Sequence, residues 1–250
     1  MRRRIDRLAA GIKPIAADLN DPSTLRSLPS RLDVVYYTAA ADESGEAAYR
    51  RAYVEGLDNL LVALAKRGGR PPRLIFTSST SVYGQTDGGW IDEDSPTEPL
   101  GFAGRILLEA ETLADAAMAS CCLVRLAGIY GPGRTRLIRR ARSGEASCTA
   151  GVYGNRIHAD DAAGFLAHLG HMKSPESLYI GADDDPAPIC DVLAWLAARL
   201  DSPPPRVVRS IDAPAARGNK RCSNRRLRSS GYQLRFPGYR EGYANVLGQT

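Results

Sequence analysis

The sequence predicts an α/β fold: a parallel β-sheet with helices on both faces, continued by a small carboxyl-terminal lobe. Three observations carry this. Short apolar and β-branched runs recur at 32–37 (LDVVYY), 73–77 (RLIFT) and 122–126 (CLVRL). Between them, 46–67 and 102–118 place apolar residues three and four apart, the period of a helix with one buried stripe. Glycine or proline punctuates the long connections. Strand and helix in alternation require a parallel sheet, because each helix carries the chain back to the end where the last strand began.

The elements follow in order. Residues 12–17 (IKPIAA) form an apolar run between Gly11 and Asp18, which predicts a buried strand and then a turn. Residues 32–37 predict a second strand, and Thr38, Ala39 and Ala40 continue it with small side chains. In the helix over 46–67, Tyr49, Tyr53, Leu57, Leu60 and Leu64 share a face, and Gly68 and Gly69 end it. A serine-rich turn follows the strand at 73–77, and 85–101 reads as a loop. The helix at 102–118 packs through Ile106, Leu107, Ala110 and Leu113. Beyond Gly128 the chain predicts an arginine-rich amphipathic stretch and helices over 160–171 and 189–200. A short strand at 178–180 lies between those helices, and 202–205 (SPPP) forms a stiff spacer. Ser223 is placed to cap a short helix over 224–228.

Composition narrows the function classes. Apolar residues make up 44% and charged residues 24%, enough to bury a core, so long disorder is not expected. The net charge of +5 suits either a mildly basic surface or an anionic small ligand. Arginines cluster at 2–7, 134–142 and 217–228 without interleaved aromatics, so a nucleic-acid platform is not expected. The five cysteines form no CxxC pair and are expected as reduced thiols in a cytoplasmic protein. Three histidines without carboxylates at ligand spacing argue against a metal site. The basic amino terminus has no apolar run behind it, and no stretch has the length of a membrane span.

In an open parallel sheet, ligands gather beyond the carboxyl ends of the strands. Three such ends carry suggestive groups: Asp18 with Leu19, Thr38 to Ala40, and Ser78 with Ser79. They are expected to share one groove. Asp18 either accepts a hydrogen bond from an adenine amino group or caps its own turn. Ser79 either bonds a reacting oxygen or ends its strand through local side-chain-to-backbone bonds.

Residues 74–84 (LIFTSSTSVYG) resemble the extended short-chain dehydrogenase/reductase superfamily, which includes nucleotide-sugar epimerases and dehydratases. Residues 17–19 (ADL), 124–133 (VRLAGIYGPG) and 156–158 (RIH), with Asp160 and Asp161, extend the likeness over nearly the whole chain. The tail at 219–227 (NKRCSNRRL) is similar to a bacterial branch of epimerase/dehydratase-like chains. The resemblance implies a Rossmann domain over 1–128 that binds NAD or NADP. It implies a substrate lobe over 129–250, with part of 155–182 returning to the sheet. Its chemistry is hydride transfer on a small-molecule substrate, often a sugar nucleotide. Some family members pair, so a homodimer is an open expectation.

By position, the resemblance assigns the cofactor to Asp18, Leu19, Thr38, Ala39, Ala40, Ser78, Arg105, Ala127 and Gly128. Arg3 and Arg4 fall where basic side chains would neutralise the extra phosphate of NADP, which tips the expectation towards NADP. Substrate falls to Ser79, Arg134, Arg156 and His158. The family catalyses with a Ser or Thr near the serine turn and a Tyr-x-x-x-Lys, whose tyrosine moves the proton.

Two departures limit what carries over. Where the family has Tyr-x-x-x-Lys, this chain has Gly101 and Arg105. Glycine offers no proton, and arginine holds a ribose hydroxyl but stays charged. That leaves Ser79 and Arg105, with Tyr83 either a substitute proton donor or a buried ring with a bonded hydroxyl. The second departure is at the front. The family's first strand and Gly-rich turn, which clamp the pyrophosphate, are expected before residue 12 and are absent from it. Tight dinucleotide binding is not expected of a chain that starts at Met1. Two readings stay open: an NAD(P)-dependent oxidoreductase or epimerase-like enzyme, and a non-catalytic dinucleotide-binding sensor or partner-binding protein. Sequencing the coding DNA upstream of Met1 is expected to reveal an in-frame extension of about 30 to 45 codons with a Gly-rich turn. A stop codon immediately upstream rules out the expected explanation of the missing front, a start codon placed too late or a truncated gene model.

Overall fold

The computed structural model describes residues 11–208 and 218–248. In chain order the strands are β1 (Val34–Tyr37), β2 (Arg73–Ser79), β3 (Trp90–Ile91), β4 (Cys121–Leu126) and β5 (Gly128–Tyr130). There follow β6 (Ser147–Thr149), β7 (Arg156–His158), β8 (Leu178–Gly181), β9 (Arg206–Val208) and β10 (Arg221–Cys222). The helices are α1 (Glu46–Arg50), α2 (Gly56–Ala65), α3 (Phe102–Ala117), α4 (Arg136–Arg142), α5 (Ala159–His171), α6 (Ile189–Arg199), α7 (Arg225–Ser229) and α8 (Tyr239–Gly248).

Among the described residues, β1, β2, β4 and β8 form one parallel sheet in the order β1-β2-β4-β8. Strand β2 lies inside it, and Leu74, Ile75 and Phe76 are wholly buried. Successive side chains feed opposite cores. Leu74 and Phe76 pack with Leu57, Leu61, Leu107 and Ala110 beneath α2 and α3. Ile75 packs with Val124, Phe165, Leu169 and Tyr179 beneath α5. This is the doubly covered parallel sheet that the apolar runs predicted.

A third core builds the lobe from Tyr130, Ile138, Val192, Leu193, Leu196, Tyr239 and Tyr243. Helix α8, absent from the sequence reading, supplies Tyr239, Tyr243 and Val246, at spacings of four and three that mark one buried stripe. Strand β8 pairs with β4 in the main sheet. Strand β7 pairs instead with β5, outside it.

Several expectations need correction. Residues 12–17 form no strand, because no described strand lies beside them to complete a ladder. The loop over 85–101 contains β3, which pairs in parallel with β10 from near the end of the chain. The proline spacer leads into β9, which pairs with β6. The long first helix is interrupted by a π-helical turn at Arg51–Glu55. There the Tyr37 hydroxyl donates to the Ala52 carbonyl, and a Cβ on Gly56 would stand 3.0 Å from the Arg51 carbonyl oxygen. No helix among the described residues is long and apolar enough to cross a membrane.

The cysteines also differ from expectation. Cys148 on β6 and Cys190 at the start of α6 are disulfide-bonded, with Cα atoms 5.3 Å apart. They lie 42 residues apart in sequence, so no spacing motif announces them. Cys121, Cys122 and Cys222 are free thiols. Closing a loop of that length stabilises a fold by about 3–4 kcal/mol. Dithiothreitol is therefore expected to lower Tm by on the order of 10 °C. An unchanged Tm with five titratable thiols would contradict the bond.

Candidate active site

The carboxyl ends of β1 and β2 open onto two adjoining cavities. The first, about 560 Å³, is lined by Asp18, Leu19, Thr38, Ala39 and Ala40, together with Asp42, Glu43 and Arg51. The second, about 470 Å³, is lined by Ser79, Ser81, Gly128, Tyr153, Arg156 and Lys220, together with Arg136, Arg140 and Tyr243. Arg134 lines both. Asp18, Ala39 and Ser79 thus stand along one edge of a parallel sheet, in two neighbouring hollows rather than one groove.

Asp18 does two things at once. It lines the first cavity while its Oδ1 accepts the Asn20 N–H at 2.9 Å. Thr38, Ala39 and Ala40 leave β1 as small residues, so the backbone there is open to close approach. Ser79 ends β2 in extended conformation and caps the 3₁₀ turn Thr80–Val82, its Oγ accepting the Ser81 N–H at 3.1 Å. Ser79 thus ends its strand through a local bond, one of the two readings of the sequence, and it also lines the second cavity. Ser78 is buried with no partner at its hydroxyl and lines neither cavity. Ala127 is likewise a core residue, whereas Gly128 reaches the cavity wall.

The second cavity is strongly electropositive. Arg134, Arg136, Arg140, Arg156 and Lys220 line it, and no carboxylate does among the described residues. Arg156 is almost fully buried, donates to the Asp185 carbonyl at 3.2 Å and lies over the Tyr239 ring. Arg140 donates to the Ser147 carbonyl. These bonds hold guanidinium planes along a wall that no acid neutralises, the arrangement that receives phosphate or carboxylate.

Three sequence-selected residues lie elsewhere. Tyr83 is buried, and Arg125 Nη1 donates to its hydroxyl at 2.7 Å. Arg125 in turn grips Glu111 through Nε at 3.0 Å and Nη2 at 2.7 Å. Burial pushes the Tyr83 phenol up to about 12 despite the guanidinium beside it. It is the buried ring with a bonded hydroxyl, and its cation is Arg125, not Arg105. Arg105 itself is exposed on the first turn of α3 and lines neither cavity. Gly104 is the residue facing the serine turn: a Cβ there would stand 2.4 Å from the Ser81 carbonyl oxygen. Arg105, one position on, is rotated away.

His158 does not reach the cavity either. It is wholly buried, its Nδ1 accepts the Asp160 N–H at 3.2 Å and so caps α5, and its ring packs on Tyr130 and Phe236. Burial pushes its pKa down. Arg3 and Arg4 lie outside the described residues. Sequence reading had missed Tyr153, Tyr243 and Lys220 as lining residues. Lys220 belongs to the tail quoted above, but only the pairing of β10 with β3 brings it to the serine turn.

The family model for the NAD-dependent epimerase/dehydratase family matches residues 2–181. The chain belongs to that family. It is thereby a member of the extended short-chain dehydrogenase/reductase superfamily, with the Rossmann-like fold described above. Protein YeeZ of Escherichia coli K12 is 32% identical over 208 residues, covering 82% of this chain and 71% of YeeZ. Short-chain dehydrogenase/reductase family 42E member 1 of Bos taurus is 29% identical over 210 residues, 68% of this chain and 52% of that protein. A solved structure of a putative NAD-dependent epimerase/dehydratase from Methylobacillus flagellatus superposes with a TM-score of 0.78 at 38% identity. That match covers 97% of this chain and 85% of the other. MoeE5, solved with UDP-glucuronic acid and NAD, gives a TM-score of 0.77 at 25% identity, over 94% of this chain and 84% of MoeE5.

Within this family member, Asp183 follows β8 and is buried, with Oδ2 unpartnered among the described residues. Burial outweighs the pull of Arg156 and raises its pKa to about 8. The folded state therefore keeps a proton that the unfolded chain releases near 3.8. Stability from this group is full below that lower value and is lost as pH rises through about 8. D183N removes the titration. Its Tm relative to the parent chain is expected to rise between pH 5 and pH 8 in thermal melts, and a constant difference would count against the assignment.

Proposed function

We propose that the protein is an NAD(P)-binding oxidoreductase of the epimerase/dehydratase type, acting on a sugar nucleotide or a similar small anionic substrate. The observation that carries this reading is the acid-free second cavity, where five cations stand beside Ser79 at the end of β2. A diphosphate brings two or more negative charges, and fixed guanidinium groups in a recess bind it bidentately. MoeE5, at 25% identity, was solved with such a molecule and NAD, which supports the same ligand classes here.

The first cavity fits a dinucleotide. Thr38, Ala39 and Ala40 are small enough for close approach, Asp18 offers a carboxylate oxygen for an amino group, and Arg134 faces the junction with the second cavity. Leu19 adds an apolar wall, and Gly128 leaves the far side open. NADP remains the favoured form through Arg3 and Arg4. The nicotinamide group, when bound, supplies or accepts the hydride. Ser79 then orients the substrate oxygen, and Arg134 and Arg156 hold the anionic part. Asp42 and Glu43 add negative charge to the first cavity, so the anion preference is strongest in the second.

One observation favours a second reading. Gly101 carries no side chain to donate a proton, and Arg105 points away from both cavities. A non-catalytic dinucleotide sensor would have this composition. Fluorescence titration with NADPH and then turnover with UDP-glucuronic acid and NAD separate the two. NADPH binding is expected of the form that carries the upstream extension, and in that form R134A is expected to weaken competition by UDP-glucuronic acid about 10- to 100-fold. S79A is expected to leave NADPH affinity within about twofold while lowering turnover about 100-fold. Binding without turnover selects the sensor, and no NADPH binding removes both readings.

A further inference from the structure

The chain draws its positive charge almost entirely from arginine. Of its 33 basic residues, four are lysines: Lys13, Lys66, Lys173 and Lys220. The first three are exposed. Lys220 is buried, with 6% of its surface accessible, and it lines the second cavity with Ser79. Arginine cannot release its proton near neutral pH, whereas lysine can. Among the described residues lining this cavity, Lys220 is therefore the one cation able to release its proton.

Its placement is fixed from several sides. β10 is held by β3, with the Arg221 N–H donating to the Gly89 carbonyl and the Asn219 N–H to the Gln85 carbonyl. Asn155 binds the Lys220 carbonyl at 2.9 Å. Lys220 Nζ donates to the Tyr83 carbonyl at 2.7 Å, which anchors the ammonium at the end of the serine turn. An ammonium has three donors, and this is the one bond recorded for it among the described residues. No carboxylate forms a salt bridge with it there. It shares the cavity lining with Arg134, Arg156 and Tyr153, and Cys222 lies two residues on, in β10. Burial pushes the amine below its ordinary value, against a smaller opposing effect of Cys222.

We propose that Lys220 is the proton-transfer residue of this cavity, taking from the carboxyl-terminal strand the part that Gly101 and Arg105 cannot play. The step rests on the oxidoreductase reading above. In the reducing direction, a hydride from a reduced nicotinamide adds to a substrate carbonyl carbon while the Lys220 ammonium gives a proton to its oxygen. The carbonyl becomes an alcohol, the nicotinamide is oxidised, and the neutral amine regains its proton from water. Ser79 fixes the oxygen between them. The reverse direction uses the amine as the base.

Competitive acetylation of the whole chain across pH 6–11, read by peptide mass spectrometry, tests this without a substrate. Lys66 and Lys173 serve as internal references. Lys220 is expected to be labelled in the folded protein with a midpoint below theirs, and inorganic pyrophosphate is expected to slow its labelling at least fivefold. No labelling before unfolding, a midpoint equal to the references, or no protection overturns the proposal. Thermal melts of K220R and K220M beside the labelling show whether the fold survives without the amine. NADPH titration of the form that carries the upstream extension keeps the outcomes separate. Loss of NADPH binding sinks the oxidoreductase reading, whereas binding with an ordinary, unprotected Lys220 sinks only this inference.

Discussion

Burial of β2 on both faces is the constraint on which the rest of the structure depends. Leu74 and Phe76 need one helical layer and Ile75 needs another, so α2 and α3 cover one face while α5 covers the other. Helices on both faces leave the strand ends as the free edges. Each strand of the main sheet runs the same way, so β1 and β2 discharge their next residues at one edge. The cavities sit there because backbone leaving a sheet has unspent hydrogen-bonding groups and room for side chains. Ser79 is positioned by this geometry, and its Oγ caps the turn that follows.

The main sheet was legible because its strands are short, apolar and bounded by breakers. Residues 73–77 and 122–126 could bury both faces only as interior strands, and they do. Residues 12–17 carry the same signal but form no strand and stay largely exposed, Ile12 with 55% of its surface accessible, since a ladder needs a neighbour and no described strand supplies one. The two-residue strands β3 and β10 had no periodicity to detect, being too short for one. The Cys148–Cys190 bond and the reach of Lys220 to the serine turn are long-range facts, and no local spacing encodes them.

At the site, sequence reading found the chemistry of the strand ends better than the direction of side chains. Asp18, Thr38, Ala39, Ala40, Ser79, Gly128, Arg134 and Arg156 all line the cavities. Tyr83, Arg105 and His158 do not, and each is diverted by a specific competitor. Arg125 and Glu111 claim the phenol of Tyr83, the close packing of Gly104 on Ser81 turns Arg105 outward, and the cap of α5 consumes His158. Residue type alone does not reveal which partner wins.

The pairing of β3 with β10 has a consequence for how the protein is made. One wall of the second cavity, Gly218 and Lys220, comes from the segment leading into β10, 137 residues beyond the Tyr83 carbonyl that Lys220 binds. A chain still emerging from the ribosome holds its serine turn and main sheet long before that wall arrives. The second cavity is thus closed only once that segment and Tyr243 of α8 have been made, and a polypeptide cut short before Gly218 would lack Gly218, Lys220 and Tyr243 from its lining.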